Sequence, residues 1–287
     1  MLNKIELYSV REKFLEYLKN QNKASATILA YGKDLSQLNQ FLTDLGKKTV
    51  DQIEKTDIEA FLKKLGADGF TAKSLSRKLN SIKTFYRFLR SQSFVQYDQT
   101  LEIAHPKYET KAPRILSKME YRALRDACRE DIRISAIVEI FLQTGLRISE
   151  LANLKLTDAK KSELQIQALE SHEERMVPLN KAAATALENY LKIRPQTKET
   201  TIFITKTGKP LLIRNIRTAL DRYFRLAGIE NACVNDLRHT FIAQQLGNGT
   251  PVNVISKLVG HKRLSTTEKY LGLIQDKVVE NVKLEEL

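Results

Sequence analysis

Tryptophan is absent from the 287-residue chain, and aromatic residues make up only 7% of it. That argues against the stacked-ring platforms that hold single-stranded nucleic acid, and favours a duplex partner. There are two cysteines, Cys128 and Cys233, and four histidines, which excludes a disulfide framework and a Cys/His zinc cluster and suits a reducing cytoplasm. No apolar run reaches the roughly 18 residues that a membrane span needs, and the first residues lack a signal-peptide core. Neither a membrane partner nor export is expected. Acidic residues are also in short supply, with 34 Asp and Glu against 47 Lys and Arg and a net charge of +13. Such a surplus suits a polyanion. It divides into +6 before Ala112 and +7 from there on, so both halves are expected to touch that partner.

What is present is mostly helical periodicity. From 9 to 90 apolar residues recur at spacings of three and four, as in Val10, Phe14, Tyr17 and Leu18 and again in Tyr31, Leu35, Leu38 and Leu42. Thr56 with Glu59 reads as a capping box opening a helix that stops at Gly66. The next helix carries Leu75, Leu79, Ile82, Tyr86 and Leu89 on one stripe, with Arg77, Lys78, Lys83, Arg87 and Arg90 reading as largely off it. That basic face is either a solvated surface or a contact to DNA; the basicity of the whole segment favours DNA. Periodicity lapses between 97 and 113 around Pro106 and Pro113, which predicts a linker over 105–115 between a domain at 1–104 and another at 116–287.

The second domain opens at a Ser117/Glu120 capping box, and an apolar helix over 132–143 ends at Gly145. Alternation at Leu164, Ile166 and Ala168, then Met176 and Pro178, predicts a two-stranded hairpin, to which 201–205 adds a third strand. Helices are expected over 213–227, 236–246, 251–259 and 266–273, and the stretch 277–287 is amphipathic. The fold class is therefore mainly α with a small antiparallel β-sheet.

Three segments of the second domain carry chemistry: Thr144-Gly145-Leu146-Arg147-Ile148-Ser149-Glu150-Leu151, Asp236-Leu237-Arg238-His239-Thr240-Phe241, and Leu258-Val259-Gly260-His261 with Tyr270 nine residues on. In this order and spacing they resemble the tyrosine site-specific recombinases of the phage-integrase type. Ser25, Thr27, Tyr31 and Asp34-Leu35 are similar to the Xer-type core-binding domain, so the resemblance covers essentially the whole chain. It implies an N-terminal helical core-binding (SAM-like) domain and a C-terminal α+β catalytic domain. It further implies cleavage of duplex DNA through a 3′-phosphotyrosine, and a homo-oligomer, a tetramer on two sites, or assembly with a partner recombinase.

The residue types suit that reaction on physical grounds. Negative charge grows on the non-bridging phosphate oxygens in the transition state, and the arginine fork holds two such oxygens where lysine offers a point charge. Arg147 and Arg238 are the expected clamp and Tyr270 the expected nucleophile, a phenol of ordinary pKa about 10 that needs its proton shared or removed. A phosphotyrosine conserves the bond energy, so neither a nucleotide cofactor nor a metal is called for. By resemblance, His261 donates to the phosphate, His239 supports the site, and Glu150 buttresses Arg147; an ordinary surface pair with Arg147 is the other reading of Glu150. Ser265 with Glu268 reads as a capping box that puts Tyr270 in the second turn of its helix.

Two expected groups are missing. The family's hairpin-turn lysine, which protonates the leaving 5′ oxygen, aligns with Glu170, and His172, Lys206 and Lys209 are the alternative proton donors. Asn235 stands three residues before Arg238, where the family usually has histidine; it can donate a hydrogen bond or cap the helix, but cannot move a proton. Loss of one proton-transfer group costs about 10²- to 10⁴-fold in rate, so slow or conditional strand exchange is expected, and Glu170→Lys should speed cleavage. The competing readings are a cleavage-impaired DNA-binding member of the same fold and a helix-turn-helix regulator built on 250–270. The apolar edge of Val278, Val279, Val282, Leu284 and Leu287 docks either on a neighbouring subunit or on its own domain.

Overall fold

The computed structural model describes residues 5–109, 111–169 and 173–279, with side chains through 274. Glu170, His172 and the tail residues Val282, Leu284 and Leu287 lie outside the described residues, as do the side chains of Val278 and Val279. The chain is mainly helical with one small antiparallel sheet, as expected from its periodicity, and it divides into two units, Met1–Thr110 and Lys111–Leu287. No helix among the described residues is long and apolar enough to cross a membrane.

In the first unit, helices α1 (Leu7–Asn20), α2 (Ser25–Asp44), α3 (Lys55–Ala67) and α4 (Ala72–Ser91) turn their apolar stripes inward. Phe14, Leu35, Leu38, Ile82 and Tyr86 are fully buried, and Phe14 meets Phe85 edge to face at 5.3 Å. Each such side chain contributes about 1.5–3 kcal/mol on leaving water. Ile103 joins the same core, and His105 Nδ1 lies 3.0 Å from Ser76 Oγ.

Two details correct the sequence reading. Helix α3 is capped by Glu54, whose N–H donates to Asp57 at 2.7 Å, so Thr56 already lies inside the helix. Lys78 is not on an exposed face. It sits three residues after Leu75 and four before Ile82, on the apolar stripe itself, and its ammonium donates to Asp34 (2.9 Å) and Gln37 (2.5 Å). Arg77 forks onto the same Asp34 at 2.6 and 2.7 Å. Burial pushes the Asp34 carboxyl up, but Arg77 and Lys78 outweigh it and hold the group below its ordinary range. These two cations tie α4 to α2. Of the basic residues expected at DNA, Arg87 is exposed and Lys83 half-buried.

The second unit runs α5 (Lys118–Ala127), α6 (Ile132–Thr144), α7 (Ile148–Asn153), β1 (Glu163–Ile166), β2 (Arg175–Pro178), α8 (Lys181–Ile193), α9 (Ile213–Leu226), α10 (Val234–Gly247), α11 (Val252–Val259) and α12 (Leu264–Val279). Ser117 and Glu120 cap α5 as expected. Helix α6 is apolar on most of its circumference, with Ile134, Ile137, Val138, Ile140 and Phe141 all buried, and that pattern makes it the central helix of the core. Strands β1 and β2 pair antiparallel, Glu163 opposite Pro178 and Ile166 opposite Arg175.

Among the described residues the sheet has two strands, and 201–205 does not join it as the expected third; Thr201 and Ile204 make only isolated antiparallel bridges, to Lys155 and Pro210. Ile202, Phe203 and Ile204 are buried in succession, without the alternation of a strand. Their backbone is satisfied elsewhere: Ile202 donates to Leu154, and Arg194 donates to the Thr201 and Ile202 carbonyls. A second cluster of Phe241, Ile242, Leu246, Ile255, Val259 and Tyr270 holds α10, α11 and α12 together.

Candidate active site

Two turns bring the predicted residues together. Helix α6 ends at Gly145 in the left-handed conformation (φ +62°), where a Cβ would lie 2.5 Å from Phe241, so the turn requires glycine. It delivers Arg147 to the N-cap of α7, and Glu150, in the first turn, accepts the Arg147 backbone N–H at 2.8 Å. Helix α11 ends likewise at Gly260 (φ +67°). There a Cβ would lie 3.0 Å from Arg175 Nη1 and 3.2 Å from Arg147 Nη1.

Arg147 and Arg238, far apart in sequence, converge on these turns. Arg147 donates Nη2 to the Gly260 carbonyl (2.5 Å) and Nη1 to Glu150 (2.9 Å). Arg238, on α10 and 7% exposed, donates to the carbonyls of Gly145 (2.5 Å) and Val259 (2.7 Å). Burial and the neighbouring Arg147 push its guanidinium down to about 9, so it is still charged at neutral pH. Glu150 is not a surface partner. Its side chain is fully buried, and it accepts a bidentate fork from Arg175 (2.9 and 2.8 Å) besides the contacts to Arg147. Burial pushes the carboxyl up; hydrogen bonds from Arg175 and the Arg147 N–H outweigh it and hold the group at about 2. Arg175 was legible only as part of a strand, since its partners Glu150 and Leu258 are joined to it by the fold alone.

Tyr270 lies in the second turn of α12, as expected, although α12 begins at Leu264. Ser265 is therefore inside the helix and caps nothing; the Arg263 carbonyl takes the Thr266 N–H. The Tyr270 hydroxyl is 2.6 Å from His239 Nδ1 and the residue is 4% exposed. Burial raises the phenol's pKa against the opposing charge of Arg238, and burial also lowers that of His239. His261 Nδ1 is 2.8 Å from Thr267 Oγ1, a partner the sequence did not announce. Burial, then Arg238 and Arg147, push His261 down to about 4. Its ring is expected to stay neutral at pH 6 in the free protein and to titrate near pH 4 by NMR; a midpoint at 6.5 would contradict this burial. Between pH 6.5 and about 4 the unfolded chain binds a proton that the folded chain refuses, so His261 weakens the fold as acid is added.

Asn235 is exposed at the second position of α10 and is not its N-cap. Cys233 holds that place, because its N–H already donates to Asp236 at 2.8 Å. Lys206 lines a different cleft, with Asp131, Arg133, Tyr190 and Tyr223. Glu170 and His172 lie outside the described residues. The helix-turn-helix reading is not favoured, because α12 turns Tyr270 inward onto His239 and the Gly260 turn is engaged with Arg147.

Two guanidinium groups sharing one carboxylate, with a third held at the same turns, beside a buried tyrosine and two histidines, form a site suited to a phosphodiester. Residues 114–275 match the Phage integrase family, and 12–93 match the phage integrase N-terminal SAM-like domain. The chain belongs to the phage integrase family and is a site-specific tyrosine recombinase. It is 33% identical to Tyrosine recombinase XerC of Lactobacillus delbrueckii subsp. bulgaricus, over 91% of this chain and 93% of that protein. It is 30% identical to Tyrosine recombinase XerC of Staphylococcus carnosus, over 91% of each. Among solved structures, XerA recombinase aligns at 25% identity with a TM-score of 0.54, over 97% of this chain and 100% of that one. A lambda integrase dimer bound to a COC′ core site shares the fold at a TM-score of 0.78 and 17% identity, over 99% and 81%.

Proposed function

We propose that Tyr270 attacks a phosphorus of duplex DNA held by Arg147 and Arg238. The bond from Tyr270 Oη to phosphorus forms, the bond to the 5′ oxygen breaks, and a 3′-phosphotyrosine and a 5′ hydroxyl result; attack by a 5′ hydroxyl from another site reverses the step. The observation that carries this reading is the meeting of both arginines at the Val259–Gly260 carbonyls, next to His261 and with the charge of Arg238 acting on the Tyr270 phenol.

Each group has a task that its surroundings suit. The two arginines trade weak carbonyl contacts for charged phosphate oxygens and stabilise the developing charge. Neutral His239 accepts the phenol's hydrogen bond and shares its proton. With Thr267 donating to Nδ1, His261 keeps its proton on Nε2 and presents it to the phosphate. Asn235 donates to the same phosphate, and in sequence Glu170 aligns with the family's lysine, the proton donor to the 5′ oxygen. The phosphotyrosine conserves the bond energy, so no cofactor enters the reaction. Both basic units grip the duplex, Arg87 and Lys83 through its phosphates, and affinity falls with salt. The enzyme works in the cytoplasm as a tetramer on two sites, with copies of itself or with a partner recombinase.

The test is incubation with a nicked duplex bearing the target site, in which the cleaved fragment diffuses away and traps the intermediate. The expected product is a covalent protein–DNA adduct that maps to Tyr270. No adduct, or one on another side chain, overturns the reading.

A further inference from the structure

Arg175 has no part in the steps above, yet it is the most fully engaged arginine of the cluster. Its Nη1 and Nη2 fork onto Glu150 (2.9 and 2.8 Å), its Nε donates to the Leu258 carbonyl (2.7 Å), and its side chain is 10% exposed. Every nitrogen of the group already faces a protein acceptor, so it is poorly placed to hold a phosphate as well. It shares Glu150 Oε1 with Arg147, and it closes on the Gly260 turn whose carbonyl receives Arg147.

We infer that Arg175 is a positioning residue for cleavage, acting through Arg147; this rests on the function proposed above. A buried carboxylate must be paired, and its preferred partner is a bidentate guanidinium fork. Arg175 fills that demand. Arg147 then needs to give Glu150 only Nη1 and spends Nη2 on a neutral carbonyl that a phosphate oxygen can replace. Without Arg175, Arg147 becomes the remaining cation in contact with Glu150 and swings to close on both oxygens, turning its fork from the substrate. The Leu258 carbonyl also loses its donor, which loosens the turn carrying His261.

In the nicked-duplex assay Arg175→Gln is expected to slow adduct formation about 10²-fold, the cost of a misplacement of roughly 1 Å, while duplex affinity stays within about 3-fold because phosphate contacts elsewhere dominate it. Arg175→Lys, which keeps the charge without the fork, should recover part of the rate. The discriminating measurement is a double-mutant cycle: in an Arg147→Lys background Arg175→Gln should cost less than about 3-fold, since coupled residues are not additive. Equal cost in both backgrounds, or full rate in Arg175→Gln alone, overturns the inference. Wild-type adduct and its loss in Tyr270→Phe report on the proposed function separately. Independently of activity, a crystal structure of Arg175→Gln should show Arg147 bidentate on Glu150; Arg147 in an unchanged position overturns the inference whatever the assay gives.

Discussion

Tyr270→Phe is expected to abolish the covalent adduct with a nicked duplex while leaving duplex affinity within about 3-fold, since phosphate contacts made across both units set that affinity. Loss of a nucleophile costs on the order of 10⁶-fold in turnover, far below what a denaturing gel detects. The variant should fold normally. The ring stays packed among Phe241, Ile255 and Val259, and the loss is one hydrogen bond to His239, worth about 0.5–1.5 kcal/mol. An unfolding free energy lowered by no more than that, together with a missing adduct, identifies the hydroxyl as the reacting group. An adduct that persists in Tyr270→Phe would remove Tyr270 from the chemistry and leave the arginine cluster without its nucleophile.

The parts of this molecule that local rules govern were open to reading. Gly145 after an apolar helix, the Ser117/Glu120 cap, and the alternation at Leu164 and Ile166 each state their structure within a few residues. The site was legible for a different reason: Arg147, Arg238, His261 and Tyr270 resemble a family's residues in order and spacing. What escaped depends on partners distant in the chain. Lys78 was misread because a charged residue on an apolar stripe is buried only if a carboxylate such as Asp34 comes from another helix. The β-rich segment 201–205 has strand propensity, but Arg194 and Leu154 take its backbone groups before a sheet does. Helix α8 was not read, although Asn180 caps it, because three successive alanines blur its apolar stripe. Arg175 and the burial of Glu150 are invisible in sequence, as each exists only once β2 lies against the Gly260 turn.

Glu150 gives the second large effect, read as stability and as activity together. The carboxylate is fully buried between Arg147 and Arg175 and held at about 2 against an ordinary 4.5. Glu150→Ala leaves two partly buried guanidinium groups uncompensated, which costs up to about 3 kcal/mol, the low end of the range for breaking a buried pair. It also frees Arg147 from one of its two anchors, so adduct formation should fall by about 10² or more, the scale of a lost catalytic alignment. The sign of the pH dependence separates charge from packing. Because the folded-state pKa is depressed, the stability that Glu150 supplies is complete well above pH 4.5 and is lost as pH falls from there toward 2. Holding the group at about 2 rather than 4.5 corresponds to about 3 kcal/mol, more than half of it gone by about pH 3. Glu150→Gln keeps the shape and removes the charge, so urea unfolding followed by circular dichroism should show a gap from wild type of about 3 kcal/mol at pH 7 that narrows steadily in acid. A gap unchanged between pH 7 and pH 3 would mean that Glu150 holds the site by shape and hydrogen bonding rather than as the shared counter-charge of two arginines.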